Sequence, residues 1–273
     1  MFVKFGVCVV VACVLLCAGR GAEAQSPGNV SVDQVSNVAV DADTVAEGED
    51  VGNGGVSFGA ELDFNTRYVW RGLALSQTPV VQPSLWATKG RFTAGVFANS
   101  VLGKGQGKNG LNEVDLYLTY LHDKKWLHFE PSLTYYLYLP DGFPTTGEVI
   151  LELTRRLKRF DVVTTHNFDV MRYKGAYYGD VQLAHNRAVN ERLDVTTSVG
   201  VGWGSSRWNN VNVGVRGGGL NVATAGVSAR YQLNKNFYLR PHLEVSSLRG
   251  GRLRQAVDKP DLVNIGVAFG SEF

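Results

Sequence analysis

From Val56 to the C-terminus, apolar and polar residues alternate along the chain with a period of two. The first segment shows the pattern most clearly. Its two faces are Val56, Phe58, Ala60, Leu62, Phe64, Tyr68 and Trp70 on one side and Ser57, Glu61, Asp63, Asn65, Arg67 and Arg71 on the other. Because successive side chains of a strand point to opposite faces, this alternation predicts strands with one apolar and one charged face.

The same alternation recurs in about twelve segments, each near the roughly 9–11 residues that a tilted strand needs to cross a bilayer. The predicted spans are 56–71, 80–88, 91–102, 112–122, 126–139, 148–155, 160–170, 176–185, 193–204, 220–233, 237–248 and 261–273. No run after the N-terminal segment is apolar enough to predict a membrane-spanning helix.

Short and long connections alternate between these segments. Tight turns are predicted at 89–90, 123–125, 157–159 and 234–236, and longer loops at 72–79, 103–111, 140–147, 171–175, 205–219 and 249–260. The turn at 186–192 is longer than this alternation predicts. Short turns on one side and long loops on the other are typical of outer-membrane barrels. We therefore predict an all-β fold, an antiparallel up-and-down transmembrane β-barrel of about twelve strands.

A soluble β-sandwich also alternates, so the direction of the apolar face needs its own argument. Here the apolar face recurs on nearly every segment, and a lipid-facing surface requires that regularity all the way round. Aromatic residues also fall near segment ends, as expected of interfacial girdles. These residues are Tyr68, Trp70, Phe92, Tyr120, Trp203, Tyr231 and Phe237. Pro83, Pro131 and Pro241 argue against a barrel, because proline cannot donate a backbone hydrogen bond to a neighbouring strand.

The N-terminal part predicts export. Lys4 precedes an apolar run from Phe5 to Ala18, and Ala22 to Ala24 supply a small-x-small cleavage pattern, which leaves Gln25 as the mature start. The alternative, a membrane anchor, would need about 20 apolar residues. A lipoprotein signal at Cys13 is a weaker alternative. We predict a signal peptide over 1–24, a flexible acidic leader over 25–55 and the barrel over 56–273.

The composition argues against several classes of function. The net charge of +2 gives no electrostatic reason to expect a nucleic-acid partner. Cys8, Cys13 and Cys17 all lie within the predicted signal peptide, so the mature chain would have neither thiolate chemistry nor disulfides. Metal-ligand and phosphate-loop spacings are lacking, so we expect no cofactor.

The chain ends in an amphipathic strand that closes on an aromatic residue. Val263, Ile265, Val267, Phe269 and Phe273 share one phase. This ending resembles the C-terminal targeting signal of outer-membrane proteins, which implies recognition of Phe273 by the barrel-assembly machinery.

Residues 62–101 resemble a known family. The stretch from Asn65 to Gly72 reads NTRYVWRG, and Ser76 to Pro83 reads SQTPVVQP. The next strand, Ala94 to Val101, reads AGVFANSV. These motifs resemble the opening hairpin and following strand of the TorF-type porin family. The resemblance implies an outer-membrane barrel of porin type and transfers no catalytic residue.

Inward-facing charged residues are the candidate pore-lining set. They are Glu61, Asp63, Arg67, Arg71, Glu113, Asp115, Glu130, Glu152, Asp180, Asp194, Arg230, Arg240 and Glu244. Their acidic excess predicts a mild cation preference, because charge rings set pore selectivity. Outer-loop bases point the other way, towards anions or the phosphates of lipopolysaccharide. These bases are Lys104, Lys108, Arg249, Arg252 and Arg254.

The expected activity is passive passage of small hydrophilic solutes across a bacterial outer membrane, with its lipids and lipopolysaccharide as neighbours. One alternative is a non-conducting structural or surface barrel, whose inner charges would form a network that fills the lumen. The other is an outer-membrane lipid hydrolase, for which only His166 and His185 offer a candidate base, without a recognisable motif. We therefore expect no enzymatic activity. The pattern does not predict the oligomeric state or whether loop 205–219, with Arg207 and Trp208, folds inward.

Overall fold

A computed structural model describes residues 55–103, 110–124, 126–139 and 144–273. The predicted signal peptide, with Ala24 and Gln25, lies outside these residues, as do the acidic leader up to residue 54 and the outer-loop Lys104 and Lys108. Among the described residues, no helix is long and apolar enough to cross a membrane.

The described part of the chain consists of strands, with two short helices in its connections. The strands are β1 (Ser57–Asn65), β2 (Tyr68–Trp70), β3 (Leu73–Ser76), β4 (Val80–Lys89), β5 (Phe92–Val101), β6 (Gly110–Tyr120), β7 (His122–Lys124), β8 (Leu127–Tyr138), β9 (Thr146–Leu157), β10 (Phe160–Asp169), β11 (Tyr177–Asn190), β12 (Leu193–Gly204), β13 (Gly219–Gln232), β14 (Phe237–Leu248) and β15 (Asp261–Glu272). The helices are α1 (Ser206–Val213) and α2 (Gly251–Ala256).

Twelve of these strands form a closed antiparallel barrel, which confirms the predicted fold class. Each strand pairs with its neighbour in the chain, β1 pairs with β15, and the additional pairing of β6 with β8 completes the ring. At the closure, Phe58 and the terminal Phe273 exchange two backbone hydrogen bonds of 3.0 and 2.9 Å. Closure leaves no unpaired strand edge, a condition that a sheet must meet in hydrocarbon.

The two faces of the barrel differ as the alternation predicts. Outward side chains are apolar and exposed, for example Leu85 at 57% and Ile265 at 53%. Inward positions are polar and buried, for example Asp115 at 1% and Asn99 at 0%. Since an exposed apolar exterior is stable in lipid and not in water, this surface identifies a membrane-spanning barrel. We call the side with the short connections the turn end and the opposite side the loop end.

The three strand prolines coincide with gaps in the ladders. Pairing of β4 with β5 is interrupted at Pro83, pairing of β8 with β6 and β7 is interrupted at Pro131, and pairing of β14 with β13 is interrupted at Pro241. On its other side each proline stays in register, opposite Leu62, Leu151 and Val267 respectively. Proline has no backbone N–H to donate. The closed barrel therefore accommodates each proline by losing the pairing with one neighbouring strand at that position.

Two predicted boundaries are wrong. The strand predicted over 56–71 ends at Asn65, and the chain bends at Thr66–Arg67 before the separate β2–β3 hairpin. The hairpin residues keep a period of two, so the sequence pattern alone could not show where the wall ends. The turn predicted over 186–192 is also shorter, because β11 continues to Asn190 with a bulge near Ala188. That correction removes the exception to the alternation of short and long connections.

Aromatic side chains lie at both ends of the barrel exterior. At the turn end, Phe92 packs on Tyr120 with ring centroids 5.0 Å apart, and Phe237 packs on Phe269 and Phe273. At the loop end, Trp203 donates a hydrogen bond of 3.2 Å to the hydroxyl of Tyr177. The prediction is wrong for Tyr68 and Trp70, which belong to the hairpin and not to the wall.

Candidate functional site: the barrel lumen

One side of the lumen wall carries a cluster of ion pairs on β1, β13, β14 and β15. Glu61 accepts hydrogen bonds from Arg240 at 2.6 Å and from the Tyr238 hydroxyl at 2.8 Å. His242 contacts Asp63 through Nε2 at 3.1 Å. These groups are buried and hydrogen-bond to one another, so they act first as a structural network.

The same cluster extends towards the turn end. The Arg230 guanidinium lies 3.7 Å from the centre of the Tyr238 ring and donates to Glu272 at 3.1 Å. Asp194 is half-buried and lies directly opposite Arg230 in the register between β12 and β13. Four of the predicted residues, Glu61, Asp63, Arg230 and Arg240, therefore come together on one wall.

Nearer the loop end, a row of amide side chains runs around the wall. The Asn264 amide donates to Asn65 at 2.8 Å, Asn65 donates to Gln82 at 3.0 Å, Gln82 donates to Asn99 at 3.0 Å, and Asn99 donates to Asn112 at 2.7 Å. This row joins β15, β1, β4, β5 and β6. It satisfies polar groups that would otherwise be buried without partners.

Four other predicted carboxylates, Glu113, Asp115, Glu130 and Glu152, occupy the opposite wall. Glu130 contacts His128, whose other ring nitrogen contacts Asp123. Glu113, Asp115 and Glu152 are buried at lumen-facing positions of β6 and β9.

The β2–β3 hairpin folds into the lumen at the loop end. Its tip residue Arg71 makes a two-pronged ion pair with Glu148 of β9, with distances of 2.9 and 2.6 Å. The Tyr136 hydroxyl also donates to Glu148, at 3.0 Å. In the ring, β9 is separated from β1 by β4, β5, β6 and β8 on its shorter side, so this contact spans the lumen.

The hairpin tip has a strained backbone. Its turn is Arg71–Gly72, and both residues have positive φ, 49° and 81°. Two-residue hairpin turns of this type favour Asn-Gly, so an arginine at the first position costs conformational free energy. Gly72 packs so closely on Val222 that an added Cβ would lie 2.6 Å from a Val222 methyl carbon. The tip is therefore held against the inner wall on two sides.

Helix α1 occupies the same end of the lumen. Ser205 caps the helix by accepting from the Trp208 backbone N–H, and Trp208 is 1% exposed. The Trp208 ring packs on Tyr178 and on Trp70, with centroids 4.9 and 5.8 Å apart. Leu73, Ala176, Tyr178, Trp208, Val222 and Leu248 form one apolar cluster. We call the hairpin, α1 and this cluster the plug.

A small cavity lies beside the plug. Arg71, Gly72 and Tyr178 line it from the plug, and Asp180, Thr224 and Glu244 are among the wall residues that line it. Asp180 and Glu244 are 7% and 4% exposed, and each has one buried carboxylate oxygen without a hydrogen-bond partner.

The structure relocates two of the predicted pore-lining residues. Arg71 is at the hairpin tip inside the lumen and not on the first strand, and Arg67 is at the bend that precedes the hairpin. The other predicted residues lie in the lumen-facing phase of barrel strands.

Sequence reasoning missed several lumen residues. Glu148 and Asp161 are buried in ion pairs, and the buried His242 contacts Asp63. On their strands these three residues point in the same direction as Glu152, Asn167 and Arg240 respectively. The period of two could have found them, because a charge in the inward phase is as informative as those selected. The burial of Trp208 had no such signal.

His166 and His185 lie in the outward phase, away from the lumen charges. His166 contacts the Tyr177 hydroxyl at 2.9 Å, and His185 contacts the Arg159 carbonyl oxygen at 2.6 Å. Both contacts are structural. The His166 contact lies among the aromatic side chains at the loop end, and the His185 contact lies at a tight turn.

The fold and the lumen together define a membrane-spanning β-barrel with a polar interior. Comparison with solved structures finds outer-membrane proteins. A KdgM porin has 11% identity and a TM-score of 0.47, with 78% of this chain and 98% of that chain covered. A NanC porin has 10% identity and a TM-score of 0.49, with the same coverage of 78% and 98%. An outer membrane channel from Pseudomonas putida F1 has 12% identity and a TM-score of 0.48, with 81% and 96% covered.

At these identities the likeness concerns the fold alone and carries nothing about solutes. No family model matches the chain, and no curated protein matches it.

Proposed function

We propose that this protein is an outer-membrane channel for the passive passage of small hydrophilic solutes. The observation that carries the proposal is a closed barrel with an apolar exterior and a lumen wall of charged and amide side chains on every side. Polar side chains on the lumen wall stabilise water and polar solutes inside the barrel. A barrel without a transport role could instead be packed with apolar side chains. The resemblance of residues 62–101 to the TorF-type porin family supports the same function.

The charge of the lumen favours cations. Buried carboxyl side chains outnumber buried arginines among the described residues. The carboxyl residues are Glu61, Asp63, Glu113, Asp115, Glu148, Glu152, Asp161, Asp169, Asp180 and Glu244, and the arginines are Arg71, Arg230 and Arg240. Acidic excess in a pore raises the local concentration of cations.

One base of the outer loops, Arg254, is paired with Asp261 at 2.8 and 2.9 Å, which offsets its charge. We propose that Arg249 and Arg252 contact lipopolysaccharide phosphates, as expected for arginines at an outer surface.

A non-conducting barrel is the second candidate, and the plug favours it. The hairpin and α1 fill the loop end, and most inward side chains are buried. On this alternative the lumen charges serve only stability. On the channel proposal, the conformation described here is a closed state.

Conductance in a planar bilayer distinguishes the two candidates. The refolded protein from residue 25 onwards is compared with a form that also lacks residues 25–50. Discrete current steps in both forms support the channel. Silence from protein that is folded, with heat-modifiable gel mobility, supports the non-conducting barrel and rejects our proposal.

The proposal includes export through a cleaved signal peptide and assembly guided by the C-terminal strand. It places the short turns in the periplasm and the plug at the outer surface, since an even number of strands leaves both ends of the barrel segment on one side.

A further inference from the structure

The cavity beside the plug contains two carboxylates whose charge is not balanced locally. Asp180 Oδ1 and Glu244 Oε2 are both buried, and neither has a hydrogen-bond partner. Both residues line the same cavity. Burial of a carboxylate without a partner carries a large desolvation cost, so its charge is neutralised in one way or another.

The guanidinium at this cavity is already engaged. Arg71 also lines the cavity, but its two terminal nitrogens bind the two oxygens of Glu148. That pair is neutral as a unit. The Asp180 and Glu244 carboxylates therefore make the cavity acidic even with Arg71 at its border.

We propose that this cavity is a binding subsite for a small monovalent cation, either an alkali ion or the primary ammonium group of an organic solute. This inference rests on the proposed channel function. It adds the class of solute that would bind beside the plug during passage. Asp180 and Glu244 supply the counter-charge, and the Thr224 hydroxyl on the same lining is a further acceptor.

The chemistry of the lining favours this class of ligand. An ammonium group has only N–H donors, which two carboxylates and a hydroxyl can accept, and the resulting hydrogen bonds are charge-assisted. A small divalent ion such as Mg²⁺ gives up its water reluctantly and usually keeps several waters.

The test measures ligand-dependent stability, so it does not depend on conductance. The thermal midpoint of the folded barrel in detergent is followed by heat-modifiable gel mobility at constant ionic strength. Choline chloride, a bulky quaternary ammonium salt without N–H donors, is replaced stepwise by potassium chloride in one series and by methylammonium chloride in another. A cation that binds only the folded state raises the midpoint, by at least about 2 °C at concentrations well above its dissociation constant.

The test variant is Asp180→Asn with Glu244→Gln, which removes both charges with little change of shape. Folding of this variant is expected, because it relieves two buried charges. The matched control is Asp161→Asn, which removes a lumen-facing carboxylate that pairs with Arg156 far from the cavity.

A rise in the wild type and in the control, absent in the double variant, supports the subsite. The series in which the rise occurs identifies an alkali ion or an ammonium group. If neither cation changes the thermal midpoint of the wild type, as expected when protons neutralise the carboxylates, the proposed subsite is wrong. An equal rise in all three proteins also overturns it.

Conductance of the same preparations separates this inference from the function on which it rests. Current steps without a cation-dependent midpoint reject the subsite and leave the channel. A cation-dependent midpoint in a silent protein rejects the channel and leaves a structural ion site.

Discussion

The contact between Arg71 and Glu148 is a buried ion pair between the plug hairpin and the opposite wall. We predict that Glu148→Gln releases the hairpin and increases the open probability of the channel. The side chains of the pair are 2% and 7% exposed, so the variant leaves the Arg71 guanidinium buried without its directly hydrogen-bonded carboxylate. The positive φ of Arg71 adds to the tendency of the tip to leave.

The magnitude follows from the burial. Removing one partner of a buried ion pair costs about 3–5 kcal/mol, because the other charge remains desolvated. Since about 1.4 kcal/mol corresponds to a factor of ten, the ratio of released to seated hairpin should rise by roughly two to four orders of magnitude. Packing of Trp70 and Leu73 in the apolar cluster is unchanged and limits release, so partial opening is expected rather than a permanently open pore.

The assay is single-channel recording at fixed salt and voltage. Wild type should show rare openings, and Glu148→Gln should show frequent ones of equal conductance. Asp161→Asn is the control, because it breaks a lumen ion pair that does not touch the hairpin. The double variant Arg71→Met with Glu148→Met should restore closure, since apolar residues of similar volume can replace a buried pair without loss of stability.

Two results would refute this reasoning. If Glu148→Gln and Asp161→Asn give the same open probability as the wild type, the ion pair does not hold the channel closed. If the double methionine variant is as open as Glu148→Gln, the effect does not come from an unpaired buried charge.

Further outcomes are expected for the plug, the wall, the pore and the C-terminus. Trp208→Ala should destabilise the folded barrel by about 3–5 kcal/mol, the usual cost of emptying a large buried aromatic site, and should speed proteolysis after the neighbouring Arg207; unchanged cleavage would show that Trp208 does not anchor α1. Gly202→Ala should cost about 1–3 kcal/mol because the added Cβ would lie 2.0 Å from the Tyr178 hydroxyl, and a thermal midpoint equal to the wild type would contradict that clash. Reversal potentials in a salt gradient should show a mild cation preference, and anion selectivity would reject the proposed role of the acidic lumen. Deletion of Phe273 should lower the yield of folded barrel in outer membranes, and an unaltered yield would exclude it as a targeting signal.

Most of the wall follows from the alternation of residues. The spans predicted for β12 and β14 agree with the structure at both ends, because each is bounded by turn residues that differ in composition from the strand. The prediction failed where the period of two continues beyond the wall. From Asn65 to Trp70 the pattern does not change, yet the chain bends inward after Asn65, and local sequence carries no signal for that bend.

The candidate site was predictable in part for the same reason. The inward direction of alternate side chains identified Glu61, Asp63 and Arg240 as lumen residues. It did not reveal that, between β1 and β14, Glu61 contacts Arg240 and Asp63 contacts His242. Those strands are far apart in the chain and become neighbours only through the closing strand β15, so their pairing depends on ring closure.

The sequence by itself determined the fold class, the number of strands and the apolar and polar faces, because these depend on the period of side-chain direction and on turn chemistry, which are local properties. Tertiary structure decided what the lumen contains. The inward fold of the hairpin, the link from Arg71 to Glu148 and the burial of Trp208 all join segments that are distant in the chain. Such contacts form only when a closed ring brings opposite walls within the reach of one side chain, and no local pattern encodes that distance.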